Sequence, residues 1–139
     1  MPRITAPFTI GARDSAPAAE TPWSADAAGP VLGRVTLRTS YAGALDGEAT
    51  VDILTCVADP ADMALGAVCT ALEQFSGRLD GREGTFVVQH RAAMGAEADP
   101  GDPAGAVAPG SGALAGLRGT AAIHQGPDGH TLTLDYTLP

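Results

Sequence analysis

The stretch Gly77 to Arg91, GRLDGREGTFVVQHR, constrains the fold more than any other part of the chain, because it joins a tight turn to an alternating run. Asp80-Gly81 is an acidic-plus-glycine pair of the kind that accepts positive φ in a short hairpin loop. After it, Phe86, Val88 and His90 share one face, and Thr85, Val87, Gln89 and Arg91 share the other, as side chains alternate along a strand. The preceding segment 66–76, GAVCTALEQFS, is ambiguous, since Ala and Leu favour helix while its place between two turns favours strand. The hairpin context selects strand. Ala71, Glu73 and Phe75 then point one way, and matching them to Phe86, Val88 and His90 puts a carboxylate and an imidazole on one surface.

The same signals recur along the chain. Residues 4–13 form a first strand in which Pro7, lacking an N–H, belongs at an edge or bulge. Residues 14–30 are a Pro/Ala-rich connection holding Trp23, the single tryptophan. From 31 to 44 the chain alternates, with Val35, Leu37, Thr39 and Tyr41 on one face. Leu45 to Glu48 is expected to turn it back into a strand over 49–58, whose apolar residues on both faces suggest cover on both sides. Asp59-Pro60 suits the start of a single helical turn over 60–65. Residues 92–105 have the composition of an exposed acidic loop. Two closing strands, 120–125 and 130–138, flank Gly126-Pro127-Asp128-Gly129, a second hairpin signal. Seven or eight antiparallel strands without substantial helix predict an all-β domain over 1–139: a closed antiparallel β-barrel of about eight strands, able to hold one small ligand.

Composition narrows the partners. Sixteen acidic residues against eight basic ones give a net charge of −8, so the basic footprint of a nucleic-acid binder is missing. No apolar run approaches the roughly 20 residues of a membrane span, and the start has no signal-like run, which points to a cytoplasmic protein that does not engage membranes. Cys56 and Cys69 flank a turn and can face each other across paired strands, although reduced thiols are expected in that compartment. The three histidines and two cysteines have no metal-ligand spacing. Gly110, Gly112 and Ala115 satisfy GxGxxA, but no βαβ unit surrounds them and no phosphate-loop lysine follows, so no nucleotide cofactor is expected.

Several blocks carry a family resemblance: FTIGARDS, YAGALDGEATV, EQFSGRLDGREGTFVVQH, VAPGSGALAGLRGTA and GHTLTLDYTL. In this order they resemble the family catalogued as domain of unknown function 3224, with Gln89, His90, Gly110, Ser111, Gly112, Leu117, Gly119 and Tyr136 matching its pattern. Ala108, Ala113 and the acidic insert before Val107 depart from it. The resemblance implies an antiparallel barrel similar to allene oxide cyclase and, in shape, to lipocalin-like barrels. It brings no established activity, although barrels of that shape include binders of apolar small molecules and catalysts of cyclisation in natural-product pathways.

The residues support two functions. The first is a cofactor-independent cyclase or isomerase acting on an apolar, polyketide-like intermediate held in the barrel, where orientation does much of the work. Glu73 and His90 are its acid/base candidates. Tyr41 and Tyr136 can donate hydrogen bonds to a carbonyl, and Trp23, Phe75, Phe86 and Val88 can form the apolar wall. The second is a non-catalytic barrel that binds or carries such a molecule, with Glu73 and His90 a structural pair satisfying one another. Self-association as a homodimer is open to the outer face of Val51 and Ile53, or of Val87.

Overall fold

The computed structural model describes residues 2–17, 31–59, 66–94, 104–127 and 129–139. They form eight antiparallel strands: β1 (Arg3–Pro17), β2 (Val31–Tyr41), β3 (Leu45–Val57), β4 (Ala67–Leu79), β5 (Arg82–Met94), β6 (Ala104–Gly112), β7 (Arg118–Gly126) and β8 (Gly129–Thr137). Each pairs with its neighbours in sequence, and β1 also meets β8, so the sheet curls round on itself. The wall is uneven. β3 and β4 pair along their full lengths, as do β4 and β5, whereas β6 meets β7 only over Ala104–Val107. β1 lends Arg3–Phe8 to β8 and Phe8–Pro17 to β2, with an irregularity between Ile10 and Arg13. The long strands β2–β5 stand as a curled half-barrel, β7 and β8 pair along their full lengths, and the shortest overlap in the wall is that of β6 with β7. Of the segment 66–76, Ala67 onward is strand, as the hairpin context requires.

The turns follow backbone chemistry. Asp80 (φ 48°) and Gly81 (φ 80°) both take the left-handed region, and Leu79 pairs with Arg82 around them. The β2–β3 turn lies at Ala42 to Ala44, not at Leu45 to Glu48 as the sequence suggests, with Gly43 (φ 96°) supplying the positive φ. Gly47 has a different task. It pairs with Gly77 across β3 and β4, and the Phe75 ring tip lies over both, so a side chain on either would strike the opposite backbone. Gly84 and Gly110 make similar close approaches, to the Ser111 and Thr85 carbonyls respectively. The Gly110–Gly112 motif thus serves a strand crossing. The helical turn expected over 60–65 lies outside the described residues.

The interior holds two apolar clusters. The larger contains Phe8, Tyr41, Leu45, Phe75, Leu79, Phe86, Val88, Leu114, Leu117, Leu132, Leu134 and Tyr136; the smaller contains Leu37, Val51 and Ala71, with Val35 and Ile53 packed on it. Alternation explains who is inside: along β4 the residues Ala71, Glu73, Phe75 and Leu79 are buried, while Leu72 between them is exposed. Val51 and Ile53 accordingly face inward and cannot form an outer self-association face, and Val87 is half-buried on the outer side. β3 is not covered on both sides, because Leu54 on its outer face is 53% exposed. Cys56 pairs with outward Val68, and Thr55 with inward Cys69, so the two thiols lie on opposite faces of the sheet and are free. No helix among the described residues is long and apolar enough to cross a membrane.

Candidate functional site

Between the two apolar clusters lies a small set of buried polar side chains. The register of β4 and β5 opposes Phe75 to Phe86, Glu73 to Val88 and Ala71 to His90, so Glu73 and His90 are diagonal neighbours on the inner face. Glu73 is 2% and His90 7% exposed, and His90 Nε2 lies 2.8 Å from Glu73 Oε1. The other carboxylate oxygen, Oε2, accepts from the Tyr41 hydroxyl at 2.6 Å and from Thr39 Oγ1 at 3.1 Å. Tyr41 and Thr39 share the inner face of β2, two strands and about 10 Å from β4. They reach Glu73 past Ala49, whose small side chain on β3 lies between Thr39 and Phe75 in the register.

The electrostatics follow from this enclosure. Burial, then the adjoining Glu73 carboxylate and the hydrogen bond to it, push the Tyr41 phenol well above its ordinary value. Tyr41 is therefore a committed donor whose proton is spent on Glu73. On the opposite side of the pair, His90 Nδ1 is buried and has no hydrogen-bond partner among the described residues. A carboxylate holding one imidazole nitrogen, with the other nitrogen unspent, is an arrangement able to accept and return a proton.

The remaining candidates divide between floor and periphery. Phe75 and Phe86 are each 2% exposed with ring centroids 4.8 Å apart, and Tyr41 meets Phe75 edge-on at 5.8 Å, so these rings pack as a floor beside the polar group. Val88, 1% exposed, lies between Phe86 and His90 on β5. Tyr136 is buried elsewhere: its hydroxyl donates to Asp80 Oδ2 at 2.6 Å, tying β8 to the β4–β5 turn. Burial and that carboxylate push its phenol up to about 12. Trp23 lies outside the described residues. Thr39 is the member the sequence did not single out, and its only signal is its place two residues before Tyr41 on the same face. Of the other histidines, His124 is exposed, and His130 stacks on Phe8 with centroids 5.3 Å apart. Among the described residues no three His, Cys, Asp or Glu side chains converge as metal ligands would.

At the ends of β2–β4 remote from the Asp80-Gly81 turn, the inward residues Val35, Ile53, Thr55, Val57 and Cys69 are only half-buried. The connections at that end, 18–30, 60–65 and 95–103, lie outside the described residues. The polar cluster therefore stands between a packed floor and a wall that reaches solvent.

Fold and interior together define a small all-β protein whose curled eight-stranded antiparallel sheet encloses a buried carboxylate–imidazole pair in apolar surroundings. Residues 4–136 match the model of the family described as "Protein of unknown function (DUF3224)", and the chain belongs to that family. A crystal structure of a DUF3224 protein of unknown function from Shewanella oneidensis MR-1 is similar throughout. It shares 28% sequence identity and superposes with a TM-score of 0.78, covering 100% of this chain and 98% of the other. No curated protein matches the chain.

Proposed function

We propose that the protein is a cofactor-independent cytoplasmic enzyme, a cyclase or isomerase, acting on a small, largely apolar, polyketide-like intermediate held inside the curled sheet. The supporting observation is the Glu73–His90 pair: two titratable groups hydrogen-bonded at 2.8 Å inside a largely apolar interior, with one imidazole nitrogen unspent. A positioned acid/base group of this kind contributes about 10²- to 10⁴-fold to a proton transfer, and orientation by an enclosing wall adds to it. The likeness to allene oxide cyclase-like and lipocalin-like barrels, and full closure of the barrel around the substrate, belong to this reading. A non-catalytic carrier is the second reading. It is favoured by the three hydrogen bonds around Glu73, which a structural pair would have equally.

Native mass spectrometry of the protein purified from its own host identifies a retained molecule, and turnover of that molecule or its precursor is then measured. The expected result is turnover that falls at least a hundredfold in His90→Gln. Full turnover in both His90→Gln and Glu73→Gln removes the acid/base assignment, and retention without turnover leaves the carrier.

A further inference from the structure

We propose that His90 Nδ1 is the atom the buried cluster presents to its ligand, as a hydrogen-bond acceptor, and that the ligand is an apolar molecule carrying an acidic O–H or an enolisable carbonyl. The inference deepens the reading of the interior as a small-molecule site and rests on it. Glu73 is occupied on both oxygens, by Tyr41 and Thr39 at Oε2 and by His90 Nε2 at Oε1. The protons of Tyr41 and Thr39 are directed at that carboxylate, so neither hydroxyl is left to donate to a ligand. An imidazole beside a carboxylate carries its proton on the nitrogen that faces it, here Nε2, and the neutral ring then keeps its lone pair on Nδ1. That atom is buried without a partner among the described residues. The positions flanking His90 in the register are Ala71 and Gly105, and neither has a polar side chain to offer. A buried acceptor without a partner is unfavourable, and a ligand O–H would satisfy it. The apolar residues on the same inner face toward β2, Leu37, Val51, Ala71, Val35 and Ile53, set the character of the rest of the ligand.

Glu73, Tyr41 and Thr39 are then positioning residues, which fix the ring's tautomer without touching the ligand. With an enolisable carbonyl the step balances internally. The C–H bond beside the carbonyl breaks, its proton passes to Nδ1, and its electron pair forms the enolate carbon–carbon double bond as the carbonyl oxygen takes the charge. The resulting imidazolium is held by the Glu73 carboxylate. Return of that proton to another carbon of the conjugated system completes an isomerisation without oxidant, reductant or second substrate.

The test uses the full chain, labelled with ¹⁵N-histidine, and two probes of the same shape, 2-naphthol and 2-methoxynaphthalene. Ring ¹⁵N resonances are expected to show neutral His90 protonated on Nε2, a measurement that needs no variant. Addition of 2-naphthol should move Nδ1 toward the protonated range, and 2-naphthol should bind about tenfold more tightly than its methyl ether, the order expected when one buried acceptor is satisfied or left unpaired. Glu73→Gln keeps the bulk but reverses the device. Tyr41 and Thr39 still need an acceptor, so the introduced amide turns its NH₂ toward Nε2, the proton moves to Nδ1, and the preference between the two probes is lost or inverted. Neutral wild-type His90 protonated on Nδ1 overturns the proposal. Equal binding of the two probes removes the donor requirement while leaving a small-molecule interior, and binding of neither removes both readings.

Discussion

Tyr41→Phe isolates the most committed hydrogen bond in the interior. The substitution keeps the ring, and with it the contacts to Phe8 at 5.2 Å and Phe75 at 5.8 Å, while removing one donor 2.6 Å from a carboxylate that is 2% exposed. Hydrogen bonds to charged groups contribute about 1.5–3 kcal/mol, and no new void larger than a hydroxyl is made. Thr39 and His90 remain on Glu73, which places the expected loss near the middle of that range, about 2 kcal/mol. With a urea m-value of about 2 kcal/mol/M, the unfolding midpoint falls by about 1 M at unchanged m. The loss also depends on pH. Burial and Glu73 raise the folded-state phenol above its unfolded value of about 10, so its contribution is fully present below that pH and declines as alkali ionises the unfolded chain first. The wild type's advantage over Tyr41→Phe should thus hold from neutral pH to about pH 10 and shrink above it. Tyr136 titrates alike in both proteins and cancels in the comparison. A midpoint change below about 0.25 M, or a difference that grows above pH 10, would refute the assignment of Tyr41 as a buried donor to an ionised Glu73.

Two further expectations concern the scaffold. Gly77→Ala puts a Cβ against the Asp46 carbonyl, 2.7 Å from Gly47 Cα and 2.9 Å from the Phe75 ring tip, so denaturant unfolding should show a loss of about 2–3 kcal/mol. Gly81→Ala, with open space around it and only its positive φ to pay, should lose about 1 kcal/mol. At the surface, Arg3 Nε meets Asp135 Oδ1 at 2.7 Å and holds that carboxyl below its ordinary value, so the pair's contribution is present above about pH 4 and lost as acid protonates Asp135. Thermal unfolding of Asp135→Asn should therefore differ from wild type at neutral pH and converge with it toward pH 2; a constant difference would refute the ion pair.

By itself the sequence located seven of the eight strands in outline but not β6, which falls across the stretch read as an exposed loop and a glycine motif. It also marked the Asp80-Gly81 hairpin and the parity of side chains along it, because a two-residue period and a turn's φ preference are local properties. That parity placed Ala71, Glu73, Phe75, Phe86, Val88 and His90 on one face, which the register of β4 and β5 bears out. The same local logic misassigned the β2–β3 turn, since Asp46-Gly47 resembles a loop while Gly47 is required where two strands approach beneath Phe75. Only the tertiary structure decided what lies across more than one strand. The curl brings Tyr41 and Thr39 over Ala49 onto Glu73 and sends the Tyr136 hydroxyl to Asp80, while the pairing register of β3 and β4 puts Cys56 and Cys69 on opposite faces of the sheet. Such contacts depend on register and curvature, which are set by long-range pairing and packing and leave no periodic trace in the chain. The sequence thus marked Glu73 and His90 as neighbours, and the fold determined that both Glu73 oxygens are engaged and that His90 Nδ1 has no partner among the described residues.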